Sequence, residues 1–139
     1  MTTQSAPPAR VLPRPLNEEL SKPYWEGAKR HELLLPRCRR CNRYHFYPRE
    51  FCPHCFSPEI EWVPATGQAR VYSYTIVHQP PHPSFEVPYV YAIVQLAEGV
   101  MMPSNIVDCE PSDVRIDMPL SPVFEDITPE WTLVKFKPA

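Results

Sequence analysis

The sequence predicts a mainly β protein in which an N-terminal helix precedes a four-cysteine metal module and a five-stranded barrel of the OB type. Two observations carry this prediction. Two Cys-x-x-Cys pairs, separated by ten residues, lie in the first half of the chain. Five β-rich segments follow in the second half, with turn residues between them. A length of 139 residues and a hydrophobic content of 43% suit one packed domain or two small ones.

Residues 1–16 are predicted to form a disordered tail, because this proline-containing stretch shows no hydrophobic periodicity. It also lacks the apolar region of a secretory signal, and no run of about 18 apolar residues occurs anywhere in the sequence. We therefore expect a cytoplasmic protein without a membrane span. The chain holds 20 prolines against 3 glycines, which disfavours long helices.

A helix is predicted over residues 17–32. Asn17 is a suitable N-cap, and two glutamates follow it in the first turn, where the helix dipole favours acids. Tyr24 and Trp25 belong to an apolar stripe with a spacing of three to four residues. The stripe either covers the metal module or docks on a partner, with Tyr24 and Trp25 as the contacts. The pattern alone leaves both roles open.

The predicted metal module covers residues 33–64 and is a rubredoxin-like zinc ribbon. Each Cys-x-x-Cys pair forms one tight turn, here called a knuckle, and four thiolates close a tetrahedral structural zinc site. The predicted ligands are Cys38, Cys41, Cys52 and Cys55. Disulfides, unrelated reduced cysteines and an iron site are the alternatives. Because four sulfurs fill the coordination shell, neither His45 nor His54 is assigned as a ligand. Tyr44–Tyr47 is predicted as a short strand between the knuckles.

Basic charge concentrates around the cysteines. Residues 1–70 hold 11 Lys and Arg against 7 Asp and Glu, whereas residues 71–139 hold 3 against 9. The arginines near the knuckles either bind a phosphate group, pair with acidic residues of a partner, or form a solvated face. These candidate contact residues are Arg37, Arg39, Arg40, Arg43 and Arg49.

The barrel is predicted over residues 65–139. Its strands are expected at Gln68–His78, Pro88–Ala97, Val100–Asp108, Leu120–Ile127 and Thr132–Lys137. A tight turn at Glu98-Gly99 joins the second and third strands into a meander, which is the strand order of an OB barrel; a small open sandwich is the alternative. The first strand is predicted to place Val71, Ser73, Thr75 and Val77 on one face and Tyr72, Tyr74 and Ile76 on the other.

A proline-rich loop, Gln79–Val87, separates the first two strands. A rigid surface loop of this kind loses little entropy on binding. Its His82 and Phe85, with Tyr89 just beyond, are candidate partner-docking residues.

Several stretches, taken in order, resemble the family first described as domain of unknown function 35, whose members are zinc-ribbon, OB-fold, acyl-CoA-associated proteins. Together they span nearly the whole chain from Asn17 to Ala139. The matching stretches are Leu33–Cys41, Pro48–Cys55, Gly67–Val77, Pro88–Val90, Glu98–Val100, Asn105–Asp108 and Phe136–Ala139. The sequence departs from the family at Asp117, where Gly is common, and in its proline- and histidine-rich loop.

The resemblance implies a partner subunit. Members of this family occur with thiolase-like enzymes, including the sterol-carrier-protein type, or with acyl-CoA hydratases. The partner then holds the catalytic groups for thiolysis, condensation or retro-aldol cleavage. The chain would be a non-catalytic zinc subunit in fatty, aromatic or steroid side-chain acyl-CoA metabolism. A coenzyme A thioester would lie near the partner interface, where the arginines could meet its phosphates.

The residues themselves offer no complete active site. Cys109, the one cysteine outside the knuckles, is flanked by acids that raise a thiol pKa. His78 and His82 have no readable nucleophile beside them, and the three glycines are isolated. No catalytic residue is therefore assigned. Single-stranded nucleic acid is the rival ligand for an OB barrel, but the acidic second half disfavours it.

Overall fold

The computed structural model describes residues 12, 14–15 and 17–139, so the predicted disordered tail lies almost wholly outside the described residues. One helix is followed by a two-stranded sheet and a closed five-stranded barrel, which confirms the predicted fold class. The elements are α1 (Glu18–Lys29), β1 (Leu34–Cys38), β2 (Ile60–Pro64), β3 (Ala69–Val77), β4 (Tyr89–Leu96), β5 (Met101–Ile106), β6 (Pro119–Asp126) and β7 (Thr132–Pro138). No described helix is long and apolar enough to cross a membrane.

Helix α1 packs on both β modules. The Tyr24 ring meets Phe46 of the ribbon edge-on, with centroids 5.9 Å apart. The Trp25 ring meets Trp131, just before β7, at 5.2 Å and an interplanar angle of 87°. Aromatic pairs prefer this geometry because the positive edge of one ring faces the negative face of the other. The apolar stripe therefore covers the ribbon and the barrel at the same time.

A polar contact fixes the end of α1 to the barrel. His31 Nε2 lies 3.1 Å from Oδ1 of Asp126 at the end of β6, and the Thr132 hydroxyl donates to the same oxygen at 2.6 Å. The Thr132 hydroxyl, and then the His31 ring, hold the pKa of Asp126 below its ordinary value. The His31 ring also stacks on Phe124, with an interplanar angle of 7°.

Gly27 lies where α1 meets β1, and a side chain there has no room. A Cβ atom at this position would lie 2.8 Å from Cγ of the buried Leu34 and 3.1 Å from the Glu32 carbonyl oxygen. Replacing glycine by alanine inside a helix ordinarily raises stability by up to about 1 kcal/mol. Here we expect Gly27→Ala to lower the free energy of unfolding by about 1 kcal/mol, because overpacking outweighs that gain.

Urea unfolding of the zinc-loaded protein measures this change. Glu26→Ala is the matched control, because Glu26 is the exposed neighbour in the same helix. We expect the control to stay within about 0.5 kcal/mol of the wild type. A Gly27→Ala protein more stable than the wild type would contradict the close packing of α1 on β1.

The ribbon and the barrel share one hydrophobic core. Strands β1 and β2 pair antiparallel, and the Ala65 N–H donates to the Leu33 carbonyl at 2.8 Å. Leu33 and Leu35 of the ribbon join Ala28 of α1 and the barrel interior in a single buried cluster. Burial of this shared apolar surface stabilises the three parts together.

The prediction of a strand at Tyr44–Tyr47 is wrong. Tyr44 forms an isolated bridge with Arg37, and the chain then bends at Phe46 and Tyr47. The His45 N–H donates to the Pro36 carbonyl, but the ladder goes no further. The backbone leaves β1 here to reach the second knuckle, so the aromatic run packs on α1 instead of extending the sheet.

The barrel closes in the order β3-β4-β5-β7-β6, so the open-sandwich alternative is wrong. Antiparallel pairs join most neighbours, and a short parallel contact between Ile106 and Phe136 joins β5 to β7. Ala69 pairs with Leu120 where β3 meets β6. The predicted turn at Glu98-Gly99 is present; Gly99 has φ +93°, and the Leu96 N–H donates to the Val100 carbonyl at 2.8 Å.

The predicted faces of β3 are wrong beyond Val71. A bulge between Val71 and Ser73 places one extra residue in the strand and shifts the alternation by one. Val71 is fully buried, and the residues that pack on the core after the bulge are Tyr74 and Ile76. The Asp117 N–H donates to the Val71 carbonyl at 2.8 Å from a left-handed backbone with φ 65°. This conformation accounts for the common glycine at that family position.

Candidate metal centre and the surfaces around it

The four knuckle cysteines converge at one end of the β1–β2 sheet. The Sγ atoms of Cys38 and Cys55 are 3.5 Å apart, those of Cys41 and Cys52 are 3.6 Å apart, and all four lie within 4.8 Å of one another. Sulfurs at about 2.3 Å from a central zinc would be about 3.8 Å apart in a regular tetrahedron. All five cysteines of the chain are free thiols, so the disulfide alternative is wrong. The donor set therefore fits structural zinc.

Backbone N–H groups favour the ionised form of two of the thiols, Cys38 and Cys52. At Cys55 the Ser57 N–H also favours ionisation, but burial and the neighbouring cysteine sulfurs outweigh it and raise the pKa to about 11. The Cys41 N–H donates to Cys38 Sγ at 3.5 Å, and this bond is the main reason that the pKa of Cys38 falls to about 7. Burial opposes ionisation of Cys52, but the N–H groups of Cys55 and His54 outweigh it and lower the pKa of Cys52. Thiolates are the ligand form that zinc requires.

The two knuckles make the same turn. The Asn42 N–H donates to the Cys38 carbonyl at 2.9 Å, and the Phe56 N–H donates to the Cys52 carbonyl at 2.8 Å. Asn42 and Phe56 are thus equivalent residues, each directly after the second cysteine of its knuckle. Both adopt the left-handed conformation, with φ 61° and φ 62°. That conformation costs an ordinary L-residue about 1–2 kcal/mol, and asparagine tolerates it better than a bulky residue.

The histidines near the knuckles stay outside the sulfur cluster. Among the described residues, the grouping of close ligand atoms there contains cysteines alone. His45 is buried, and neither ring nitrogen has a hydrogen-bond partner in the described part of the chain. Burial lowers the pKa of His45, and the nearby His54 and Arg49 lower it further, so the neutral ring is favoured. His54 is exposed.

The five candidate arginines divide into two groups. Arg39 Nε lies 3.3 Å from Glu61 of β2, and Arg37 lies 4.0 Å from the same carboxylate and over the Tyr44 ring. These two arginines therefore link β1 and the first knuckle to β2. The other three are exposed and have no ion-pair partner among the residues that the structure describes. They are Arg40, Arg43 and Arg49.

The candidate docking residues lie at two separate places. Tyr24 and Trp25 are half-buried in the contacts of α1 described above, and burial raises the pKa of Tyr24 far above its ordinary value. The other candidates belong to the proline-rich loop. His82 Nδ1 lies 2.9 Å from the Ser84 hydroxyl, and the rings of Phe85 and Tyr89 lie 6.0 Å apart.

The proline-rich loop borders a cleft of about 800 Å³ at the end of the barrel. Phe85, Tyr89 and Cys109 line it on one side, and Lys135 lines it together with its ion-pair partner Glu125, whose Oε2 is 2.6 Å from the Lys135 ammonium. Burial raises the pKa of Cys109, and the carboxylates of Asp113, Glu110 and Asp108 raise it further. The thiol is therefore protonated near neutral pH and is a poor nucleophile.

Sequence reasoning missed three exposed aromatic side chains on the ribbon. Phe56 is 76% exposed, Tyr47 60% and Phe51 54%. Phe51 directly precedes Cys52 and Phe56 directly follows Cys55, so two of these rings flank the second knuckle. One of them could have been found from the sequence, namely the phenylalanine directly after Cys55. That position of a knuckle turn favours a residue that tolerates positive φ, so a phenylalanine there is unexpected.

Fold and site together define a zinc-ribbon protein with an OB-fold barrel. Residues 25–61 match the profile of the ChsH2 rubredoxin-like zinc ribbon domain, and residues 62–125 match the profile of the ChsH2 C-terminal OB-fold domain. A DUF35 domain-containing scaffold protein of Methanocaldococcus jannaschii is 41% identical over 107 residues, or 74% of this chain and 75% of that protein. The chain belongs to this ChsH2/DUF35 family.

Other relatives have names that refer to acyl-CoA enzymes. A probable enoyl-CoA hydratase alpha subunit of Thermomonospora curvata is 39% identical over 95% of this chain, which spans only 41% of that protein. The benzoylsuccinyl-CoA thiolase subunit BbsA of Geobacter metallireducens is 29% identical over 63% of this chain and 60% of that subunit. A chain in the solved Ltp2-ChsH2(DUF35) aldolase superposes with a TM-score of 0.84 at 39% identity, over 90% of this chain and 98% of that one.

Proposed function

We propose that this chain is a non-catalytic zinc subunit that docks on a thiolase-like acyl-CoA enzyme and supports its carbon–carbon bond cleavage or formation. The observation that carries the proposal is the match to the aldolase chain, which extends over nearly all of that chain. The thiolase subunit BbsA supports the same class of partner. Because fold alone does not determine function, the test has to be biochemical.

The architecture supports a docking role. The shared core and the contacts of α1 join the helix, ribbon and barrel into one packed unit. Zinc, when bound, supplies a structural cross-link in the ribbon, since four thiolates leave no position for substrate. The chain's own residues then present a defined surface to the partner. We propose that its exposed arginines bind the phosphates of a coenzyme A thioester or acidic residues of the partner.

Two other functions define the alternative outcomes. An acyl-CoA hydratase is the second candidate partner, because the hydratase alpha subunit matches 95% of this chain. Single-stranded nucleic acid would need a basic groove on the barrel. Residues 71–139 hold 3 Lys and Arg against 9 Asp and Glu, which disfavours phosphate binding there.

A tagged chain recovered from its host tests the proposal. We expect a thiolase-like protein, identified by mass spectrometry, to copurify in stoichiometric amount. The partner is then purified alone and recombined with the chain, and acyl-CoA cleavage or condensation is measured for each protein and for the mixture. We expect activity to rise at least tenfold in the mixture, with none in the chain alone.

Each other outcome would overturn the proposal. Full turnover by the homogeneous chain alone would make it an enzyme in its own right. Stoichiometric recovery of a hydratase without a thiolase-like protein would favour the second candidate. Recovery of nucleic acid without either protein would favour the arginines around the knuckles as its binding site.

A further inference from the structure

One residue of the ribbon is not explained by the chain's own fold. Phe56 occupies the same place in the second knuckle as Asn42 does in the first, with the same hydrogen bond and a φ within one degree. Asparagine suits that left-handed backbone, and a bulky aromatic residue is disfavoured there. The Phe56 side chain is 76% exposed and lies outside the hydrophobic core and the ring contacts found among the described residues.

The two knuckles and the segment between them carry exposed aromatic and cationic side chains. Phe51 and Tyr47 are more than half exposed on the same module. Three exposed arginines have no ion-pair partner in the described part of the chain: Arg40 lies within the first knuckle, Arg43 follows it, and Arg49 precedes the second knuckle. Because all four cysteine sulfurs lie within 4.8 Å of one another, the two knuckles are side by side. We give the name knuckle face to the exposed aromatic and arginine residues of the two knuckles and of the segment that joins them: Arg40, Arg43, Tyr47, Arg49, Phe51 and Phe56.

We propose that the knuckle face is the docking surface for the thiolase-like partner, with Phe56 inserted into an apolar pocket that carboxylates surround. This inference rests on the proposed function and assigns its docking surface. Aromatic and arginine side chains are the types most enriched among the residues that dominate interface energies. The three guanidinium groups, which have no ion-pair partner among the described residues, complement an acidic rim, which sets orientation and speeds association.

In this proposal zinc also prepares the docking surface, in addition to cross-linking the ribbon. Zinc held by the four cysteines would fix the turn in which Phe56 has its left-handed backbone, so the ring would be positioned before the partner arrives. Preorganisation of this kind lowers the entropy cost of docking. It also relocates the interface from Tyr24 and Trp25, whose rings already pack inside the chain.

The test replaces Phe56 by asparagine, the residue found at the equivalent position of the first knuckle, Asn42. The Phe56→Asn chain should bind zinc normally and have a melting temperature equal to or above that of the wild type, because asparagine fits the turn better. Calorimetric titration with the purified thiolase-like partner should show a Kd at least tenfold higher. Tyr72→Asn is the matched control, since Tyr72 is an aromatic residue on the barrel that is 53% exposed. Its Kd should stay within twofold of the wild type.

The other outcomes separate two failures. If the wild type binds the partner and Phe56→Asn binds it equally well, the knuckle face is not the docking surface, although the proposed function stands. If the wild type itself does not bind a thiolase-like protein, both proposals are overturned. Light scattering of the chain alone measures whether it forms a dimer. If the wild type is a dimer, and Phe56→Asn is a monomer that still binds the partner equally well, the knuckle face contacts a second copy of the chain. That result would overturn the inference.

Discussion

The Cys38→Ser variant is expected to lose its zinc, the fold of the ribbon and its binding to the thiolase-like partner together. Structural zinc contributes about 10–16 kcal/mol in small four-ligand sites, which equals or exceeds the whole stability of a typical domain. The two-stranded sheet of β1 and β2 is too small to stay folded alone in water. Serine keeps the backbone groups that donate to Arg43 and accept from Asn42, so the expected losses come from the missing thiolate.

Metal analysis, amide NMR spectra and size-exclusion chromatography with the partner measure the three losses. We expect about one zinc per wild-type chain and close to none in Cys38→Ser. Cys109→Ser is the matched control, because Cys109 lies outside the sulfur cluster, next to the barrel cleft. The control should keep both zinc and complex. A metal-free Cys38→Ser chain that still forms the complex would contradict the structural role of zinc and the dependence of docking on it.

The parts of the site that follow from local chemistry could be predicted from the sequence. Two Cys-x-x-Cys pairs specify a tetrahedral donor set whatever the surrounding fold, so the four ligands were accessible from their spacing alone. Gly99 likewise marks a turn that needs positive φ. The five β-rich segments, in their order, predicted the barrel but left a small open sandwich as the alternative, which the closed strand order excludes.

The features that depend on tertiary contacts could not be predicted. Alternation along β3 assumes a regular strand, but the bulge after Val71 reverses the faces beyond it. The residues Tyr44–Tyr47 have strand propensity, and their packing on α1 overrides it. Trp25 is of a residue type that often anchors interfaces, yet its ring is covered by Trp131, which lies more than a hundred residues later in the chain. Hydrophobicity indicates that a side chain will be covered but does not identify what covers it.

The same reasoning explains why the aromatic residues of the knuckle face were not predicted, although its three arginines were. From the sequence, a phenylalanine beside a cysteine is expected to be a buried core residue. Only the structure shows that Phe56 lies on the surface with a left-handed backbone. Two equivalent turns in one chain provide an internal comparison. Asn42 is the residue that the backbone favours at such a turn, so the phenylalanine at the second turn indicates a requirement from outside the chain.

The Phe136→Ala variant is expected to have the largest effect on the barrel itself. Phe136 is fully buried in β7, pairs with Ile106 of β5 on one side and Pro122 of β6 on the other, and its carbonyl accepts from the Val107 N–H at 2.8 Å. Its ring therefore fills the core where the barrel closes. Truncating a buried phenylalanine costs about 3–5 kcal/mol, from lost burial and from the cavity left behind.

Thermal unfolding of the zinc-loaded protein measures this loss, and the melting temperature should fall by roughly 10 °C or more. Phe51→Ala makes the same chemical change at a side chain that is 54% exposed, and should shift the free energy of unfolding by no more than about 0.5 kcal/mol. The two variants are expected to differ in their affinity for the partner. Phe136→Ala should keep its affinity for the partner below its melting temperature, since the knuckle face is intact, whereas Phe51→Ala should lose affinity without losing stability. If Phe136→Ala cost less than about 1 kcal/mol, closure of the barrel would not depend on this ring.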